Sequence, residues 1–496
     1  MSLVDINNPF RPRVVNEKPA SWATPYNIHF NVDKSQGNLH VGDLTKESAE
    51  RVSDLLTLNH AKFHTMFSEA GLHNHIVHHL CTLWALGASP SEIQAGYDHN
   101  KSYQLPHYHH PTSAAMKLRD PAVYKESLGK SEHYIDYLRY FQDQISDKGT
   151  EEVLKQALFK GDTEADDLLA RMFCDLQHPL LHLGFGLEFK QPCLVAEALA
   201  GAATHDESPM GIFAPIEKHI ASQPKAPSTS MMSVINALKA DTEISNAIKP
   251  DDPFDRIRGV LIPRLGVKIA KYLAKWRVEP TEADIAHRTA EMMHVSTYVL
   301  GAAQHPGKQP RLDFVYLHNT NLGFFYSTFM KLEWLNLKQK ARLLEWKGWT
   351  DLATYVVNGC PTLYPERIKN YTPQQPGPWS SLIPRAIVHL DDGHVAKTVR
   401  AVLNAKNVSA TSPLYQGTPD FPLTEDDMLN MAHLVLDSVE GSLSPELELP
   451  EKVVKVYGEF LGLGEDVLKL VARFVMWNGV EGSWVDVPNL KEGAKA

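Results

Sequence analysis

Histidine is the most unusual component of this sequence. The chain of 496 residues contains 24 histidines, and ten of them fall between His60 and His110. Histidine is the side chain that titrates near neutral pH and also the commonest metal ligand in proteins. Such clustering indicates acid–base chemistry or metal binding, with ordinary hydrogen-bonded core histidines as the alternative.

The densest group of histidines is the run from His73 to His79. His75 and His79 are four residues apart, so on a helix they share one face with Cβ atoms about 5–6 Å apart. Both lie beside a helical apolar stripe, which predicts that they are at least half buried. That stripe consists of Ile76, Leu80 and Leu83. The spacing suits a metal or a substrate oxygen held from two sides.

Two shorter motifs place further histidines on predicted helices. His178 and His182 are again four residues apart. The segment 97–100 (Tyr-Asp-His-Asn) follows a helix that Ser89 opens with a capping box. Taken alone, a histidine such as His99 in that position is typical of a helix C-terminus.

Two segments in the second half of the chain combine polar and apolar residues. In the first, polar side chains at 318–321 interrupt an apolar, aromatic stretch, which predicts a polar pocket because buried polar groups need partners. The second contains Asp391, Asp392 and His394, followed by Lys397. Lys397 is expected to point inward, where a lysine is neutral, paired or modified. The aspartate pair suits either a metal-dependent hydrolase or a solvated helix start.

Several function classes lack their sequence signals. The chain shows no HExxH, P-loop, GxSxG, GxGxxG or cysteine zinc motif, and no βαβ alternation, which excludes a standard flavin or nicotinamide domain. The formal net charge is −10 and there is no Lys/Arg tract, which argues against a nucleic-acid partner. The four cysteines form no CxxC pair. Neither a signal peptide nor an apolar run long enough to cross a membrane is present, so we expect a cytoplasmic protein without a membrane partner.

Helical periodicity dominates the chain, and alternating strand patterns are rare. We therefore predict an all-α fold, a single large multi-helix domain over residues 1–496 with long irregular loops. Residues 1–24 are expected to be an N-terminal extension, and about 204–231 a loop excursion. Further loops are expected at 371–385, 405–423 and 440–451. The absence of an internal repeat argues against a helical scaffold without chemistry.

The order of these motifs resembles the questin oxidase-like family over roughly residues 55–405. The matching segments are His73-Asn-His75-x-x-His78-His79, Leu86-Gly-Ala-Ser-Pro, Tyr97-Asp-x-Asn100, His178-x-x-x-His182-Leu-Gly-x-Gly-Leu-Glu188-Phe, Asp313-Phe with His318, and Asp391-Asp-Gly-His-Val-Ala-Lys397. Each is weak alone, and they are specific in combination. The resemblance implies an oxidoreductase of fungal polyketide secondary metabolism. Such an enzyme cleaves anthraquinone-type rings by Baeyer–Villiger oxygen insertion.

The resemblance also implies a set of possible metal ligands. Some relatives resemble non-haem iron enzymes with histidine ligands and a carboxylated lysine, and the matching positions here are His79, His99, His318 and Lys397. The family pattern has a further histidine where this chain has Leu322. Because leucine offers no donor, we expect the pocket to be retained without a metal, with Fe(II) as the alternative.

The implied chemistry begins with a reduced anthraquinone, a phenol whose anion reacts directly with O2. Histidines are suitable general bases for such a phenol, and hydrogen-bond donors lower its pKa. We expect catalytic roles for His75, His79, His99, His318 and Lys397. Substrate contacts are expected from Tyr97, Asn100, His182, Tyr316, Asn321 and His394.

The expected partner is a small aromatic polyketide, with O2 as co-substrate. The sequence leaves open whether NADPH is consumed here or by a separate reductase, and whether the protein is a homodimer. A non-haem iron dioxygenase acting on the same substrates and a metal-dependent hydrolase using Asp391 and Asp392 are the rival functions.

Overall fold

The computed structural model describes residues 22–67, 72–107, 117–205, 209–415, 418–440, 468 and 472–490. These residues form helices, isolated β-bridges and loops but no strand, which confirms the predicted all-α fold class. Most of the predicted N-terminal extension and nearly all of the predicted loop at 440–451 lie outside the described residues. None of the described helices is long and apolar enough to span a bilayer.

The chain divides into two compact units, which we describe separately. The first comprises residues 1–208 and 390–394, and the second comprises 209–389 and 395–496. The single domain expected over 1–496 stays a prediction.

Helices of the first unit surround one almost wholly buried helix, α9. In chain order they are α1 (Lys46–Lys62), α2 (Ile76–Ala85), α3 (Pro90–Asn100), α4 (Pro121–Ser127), α5 (Tyr134–Lys148), α6 (Thr150–Leu158), α7 (Thr163–Arg171), α8 (Cys174–Glu188) and α9 (Pro192–Thr204). Helix α9 packs against α5 and α8, while α1, α2 and α3 pack against one another. Every residue of α9 after Pro192 is buried, because its sequence is rich in alanine and other apolar residues.

The second unit is built around three long helices that pack together, α14, α15 and α16. Its helices are α10 (Met210–Ser222), α11 (Met231–Ala240), α12 (Thr242–Ser245), α13 (Ile262–Leu273), α14 (Glu282–Ala302), α15 (Phe314–Phe329), α16 (Leu337–Val357), α17 (Glu366–Lys369), α18 (Trp379–Val388), α19 (His394–Ser409) and α20 (Glu425–Glu440). The first residue of α19, His394, belongs to the first unit. On α16, Lys347 and Asp351 form a buried ion pair across one turn.

The start of α3 was predicted from a local capping signal. Ser89 accepts a hydrogen bond from the Glu92 N–H, the Glu92 carboxylate accepts one from the Ser89 N–H, and Pro90 occupies the first turn, so the predicted capping box is confirmed. Thr281 likewise caps α14 by accepting from the Asp284 N–H.

Three segments that were predicted to be loops are partly helical, so these predictions were wrong in part. The stretch 204–231 contains α10, 371–385 contains the start of α18, and 405–423 contains the end of α19. Helices α10 and α18 carry an internal proline, Pro215 and Pro384, which was the sequence signal for a loop. Each nevertheless buries apolar side chains on one side, and that burial outweighs the local cost of proline.

The four cysteines, all of them among the described residues, form no disulfide, as their spacing predicted. Cys81, Cys193 and Cys360 are buried, and Cys174 is partly exposed.

Candidate active site

A buried carboxylate in the first unit, Glu197, binds two histidines. Glu197 lies on α9, and its two oxygens are 2.6 Å from His60 Nδ1 and 2.8 Å from His182 Nε2. Helices α1 and α8 supply these histidines. Burial opposes ionisation of Glu197, but the hydrogen bonds from His182 and His60 lower its pKa to about 2.

This carboxylate determines which nitrogen of His182 carries the proton. An ionised Glu197 only accepts, so Nε2–H of His182 must donate to it. In a neutral ring, Nδ1 is then the acceptor. Among the described residues no group hydrogen-bonds to this buried Nδ1. A buried acceptor left in that state is costly unless a ligand supplies a donor. His182 is therefore oriented as a general base.

A second buried carboxylate, Asp392, has the same arrangement. Its Oδ2 is 2.9 Å from His75 Nδ1, and its Oδ1 is hydrogen-bonded to His394 Nδ1. The two rings meet edge to face with centroids 4.6 Å apart. Burial alone would raise the pKa of Asp392, but His394 and His75 hold it well below its usual range. Asp392 is thus an ionised centre that fixes both histidines.

His75 makes a further contact with its second nitrogen. It occupies the N-cap of α2 and accepts the His79 N–H on its carbonyl at 2.8 Å. Its Nε2 lies 2.8 Å from the Nε2 of His178. Both ring nitrogens of His75 therefore bind protein groups, and its expected catalytic role stays a prediction.

An unusual backbone segment positions His178. Asp175, Leu176 and Gln177 have φ of 40°, 53° and 68°, the left-handed region that non-glycine residues avoid. This turn places the Asp175 carbonyl against His178 Nδ1, which donates to it. Three consecutive strained residues persist only where surrounding packing imposes them, and they often mark functional sites.

Further histidines pack around His178 and His182. His73 stacks on His178 with ring centroids 4.7 Å apart, and its Nε2 is 2.8 Å from the Nε2 of His205. His78 packs edge to face on His182 at 5.3 Å. Burial, and next the neighbouring His178, hold the pKa of His73 well below its usual range, so this ring is neutral.

His79 and Asn100 meet on a neighbouring wall of the first unit. The Asn100 amide donates to the Asp391 carbonyl at 2.9 Å and lies 3.3 Å from His79 Nδ1. The same amide donates to the Gly96 carbonyl at 2.9 Å, so carbonyl oxygens engage both of its hydrogens. His79, as predicted, is buried.

Two further residues of α3, Tyr97 and His99, were predicted to lie at the site, and they differ in burial. Tyr97 is buried with Asn100, but His99 is exposed, because the buried face of α3 follows positions 93, 96, 97 and 100. His99 therefore lies outside the buried histidine group, and its expected catalytic and ligand roles stay predictions.

Four predicted residues belong to the second unit. His318, Tyr316 and Asn321 are buried on α15, and Lys397 is buried on α19. His318 Nδ1 donates to the Phe314 carbonyl at 2.7 Å, which leaves Nε2 as the acceptor. The predicted polar segment is thus buried, and the functional roles of these residues stay predictions.

The residues present fit the implied iron set poorly. His99 is exposed, and Leu322, which is fully buried, offers no donor in the remaining position. Within the described part of the first unit, three groups have ligand atoms within 4.8 Å of one another: His60, Cys193 and Glu197; His73, Asp175 and His178; Asp391, Asp392 and His394. Hydrogen bonds account for much of each group; for example, both ring nitrogens of His178 bind protein atoms.

Sequence reasoning missed Glu197 and His205, and it did not connect His60 with Glu197. His60 and Glu197 are 137 positions apart, so spacing gave no sign of their contact. The available signal was Glu197 itself, the single acidic residue of the otherwise apolar segment Pro192–Thr204. A lone carboxylate in such a helix is costly to bury without a partner.

Comparison with known proteins adds a further finding. A family model described as Questin oxidase-like matches residues 72–402. Oxidoreductase AflY of Aspergillus parasiticus is 44% identical, with 95% of each chain covered. Baeyer-Villiger oxidase ptaJ of Pestalotiopsis fici is 33% identical over 88% of this chain and 97% of its own. Questin oxidase of Aspergillus terreus is 31% identical over 84% of this chain and 93% of its own.

Proposed function

This chain belongs to the Questin oxidase-like family and is an oxidoreductase, and we propose that it uses O2 to insert an oxygen atom beside a carbonyl of a reduced anthraquinone-type substrate. The names of its relatives support ring cleavage of the Baeyer–Villiger type in secondary metabolism. The observation that carries the proposal for the site is the oriented pair of His182 and Glu197 inside the family match.

The proposed reaction is balanced without a flavin. A base removes a phenolic proton from the reduced substrate, and the resulting carbanion-like phenolate adds to O2 to give a substrate peroxide. The terminal peroxide oxygen attacks the ring carbonyl, and a ring carbon migrates to it as the O–O bond breaks, which leaves the inner oxygen as an alkoxide on its substrate carbon. Protonation of this alkoxide and cleavage of its C–O bond release water, while the remaining phenolic hydroxyl loses its proton and becomes a carbonyl. One oxygen atom of O2 thus enters the lactone and the other leaves as water. The two extra electrons arrive with the substrate, so we expect a separate NADPH-dependent reductase to supply it.

His182 is the proposed base. Its Nδ1 accepts the phenolic proton, and the ionised Glu197 stabilises the imidazolium that forms, as a carboxylate does for the histidine of a hydrolase triad. The low pKa of Glu197 keeps this carboxylate charged throughout the physiological range.

His79 and His394 are proposed to bind oxygen atoms. His79 Nε2, as a donor, stabilises negative charge on the phenolate or the peroxide. Asp392 accepts from His394 Nδ1 and so fixes the orientation of this ring, and we assign His394 to a substrate hydroxyl. His75 and Asp392 position these groups, and no step requires a metal.

The reaction is tested with purified protein, a chemically reduced anthraquinone and ¹⁸O2. We expect a lactone with one ¹⁸O atom, formed equally before and after treatment with a chelator. Activity that disappears on chelation and returns only with Fe(II) contradicts the metal-free mechanism. No conversion under either condition contradicts the proposed function.

The base is tested with the variant H182Q. We expect kcat to fall by about 10²–10⁴-fold, the usual contribution of a positioned base. The control is H40Q, since His40 is exposed. Full activity in H182Q would exclude His182 as the base.

A further inference from the structure

A small cavity lies within the second unit, where helices α11, α14, α15 and α16 pack together. Every residue that lines it is buried. Its apolar lining residues are Met231, Ile235, Val295, Val299 and Leu352. The cavity has room for one molecule about the size of water or dioxygen, and it is too small for a polycyclic aromatic substrate.

Most polar groups at this cavity are already bonded to the protein. The Ser296 hydroxyl donates to the Met293 carbonyl at 3.1 Å. The Tyr355 hydroxyl donates to the Pro361 carbonyl at 2.8 Å. Asn319 likewise interacts with neighbouring protein groups. These side chains therefore spend their hydrogen bonds on the protein and leave few for a ligand.

The two remaining polar residues of the lining differ from each other. Both carboxylate oxygens of Asp351 accept hydrogen bonds from the buried ammonium group of Lys347, so a water molecule would compete with that cation. The hydroxyl of Tyr316 makes no hydrogen bond with the described residues, because the adjacent Asn358 amide donates to Asp313 at 3.0 Å instead. Burial raises the pKa of Tyr316 well above its usual range, so this hydroxyl stays protonated.

This combination favours an apolar occupant over water. A buried water makes about three hydrogen bonds, whereas the wall offers one free O–H donor. Cavities with apolar walls stay dry and take up apolar guests such as xenon. Dioxygen is apolar and only slightly larger than water. Dispersion contacts would hold it, and the polarisable sulfur of Met231 adds to them.

We propose that this cavity binds dioxygen, the co-substrate of the proposed reaction. Transfer of an apolar molecule from water to apolar surroundings is favourable, so the cavity concentrates O2 relative to the solvent. The role of O2 as co-substrate rests on the proposed function, whereas its binding in the cavity does not. Tyr316 then lines an O2 site, which differs from the substrate contact expected from the sequence.

Binding is tested by NMR of the full chain labelled with ¹³C in its methionine and isoleucine methyl groups. Dioxygen is paramagnetic and broadens the signals of the methyl groups that it contacts. We expect the signals of Met231 and Ile235 to broaden several-fold more under O2, relative to N2, than those of Met428 and Ile216, which are fully buried in the same unit. Equal broadening at all four residues would overturn the proposal, and so would a long-lived water beside the first two.

The cavity itself is tested by filling it with the variant V299I. The added methylene occupies the space for O2, so the excess broadening at Ile235 should disappear. V435I is the matched control, because it adds the same methylene to a buried valine of α20. We expect V435I to keep the excess broadening. If V299I does not fold, V295I places the methylene on the same wall. Excess broadening that persists in the filled variant would overturn the proposal.

The use of this O2 in the reaction is tested by steady-state kinetics at varied O2 concentration. We expect V299I to raise KM for O2 several-fold and to leave KM for the reduced anthraquinone unchanged, with neither change in V435I. An unchanged KM for O2 in V299I, in an enzyme that forms the labelled lactone, would overturn the cavity as a source of co-substrate and leave the proposed function intact. If the wild type forms no lactone, the proposed function fails, and the methyl spectra still decide whether the cavity binds O2.

Discussion

Gly393 packs against His79 so closely that a Cβ added to Gly393 would stand 2.6 Å from His79 Cβ. Gly393 also has φ +91°, a conformation that side chains rarely adopt. This contact joins the 390–394 segment to α2, and so fixes Asp392 and His394 relative to the histidine run.

Substitution G393A is expected to displace His79 and to destabilise the protein by about 1–3 kcal/mol, the usual effect of overpacking. Activity should fall at least tenfold because the oxygen-binding group moves. Gly161 is the matched control, since it has φ +82° and open space around its Cβ position. G161A therefore carries the backbone strain alone. Equal thermal unfolding midpoints and equal activities for the two variants would contradict the close contact.

Substitution E197Q is expected to lower kcat by about 10²-fold or more, because it removes the charge that stabilises His182 as an imidazolium. H60Q keeps that charge and the bond to His182, so its loss of kcat should be smaller. Steady-state kinetics with the reduced substrate measure both. If kcat falls further in H60Q than in E197Q, His60 and not His182 is the base.

Substitution K347M in the second unit leaves Asp351 buried without its cation. We expect a loss of about 3–5 kcal/mol, as for other broken buried ion pairs. The double variant K347M/D351L replaces the pair by apolar side chains and should recover most of this loss. Denaturant unfolding followed by tryptophan fluorescence compares them. A double variant as unstable as K347M would show that the pair is not isolated.

We expect the free energy of unfolding to depend on pH through the carboxyl group of Glu345. Burial raises its pKa to about 7, while the same carboxyl in the unfolded chain ionises near its ordinary value. The folded state therefore binds a proton that the unfolded state has released. The contribution of Glu345 is present at acidic pH and is lost as pH rises through about 7. E345Q should gain on the order of 2 kcal/mol relative to the wild type between pH 5 and pH 8. Parallel stability curves for the two proteins would contradict the raised pKa.

Local sequence patterns were sufficient to predict the all-α fold class and the position of many helices. Helical period is a property of neighbouring residues, and the stripe of Ile76, Leu80 and Leu83 is buried as expected. The burial of His75 and His79 followed from the same period. Prolines misled the loop predictions, because a helix with a buried face tolerates Pro215 or Pro384 at a cost that tertiary packing offsets.

The partners of the histidines could not be predicted in the same way. His75 contacts Asp392 across 317 positions of sequence, and His73 contacts His205 across 132. The left-handed turn before His178 consists of aspartate, leucine and glutamine, and none of these residue types indicates a positive φ in the way that glycine does. The exposure of His99 was not predicted either, because it depends on a one-position offset from the buried Asn100 on α3.

Burial of the cysteine thiols determines how readily they are oxidised. Burial raises the pKa of Cys360 to about 12 and also raises that of Cys193, so neither forms a thiolate at neutral pH. Only the thiolate reacts readily with peroxides. If the proposed peroxide forms, these two sulfur atoms stay in the unreactive form, and we expect oxidation during turnover to occur first at the partly exposed Cys174.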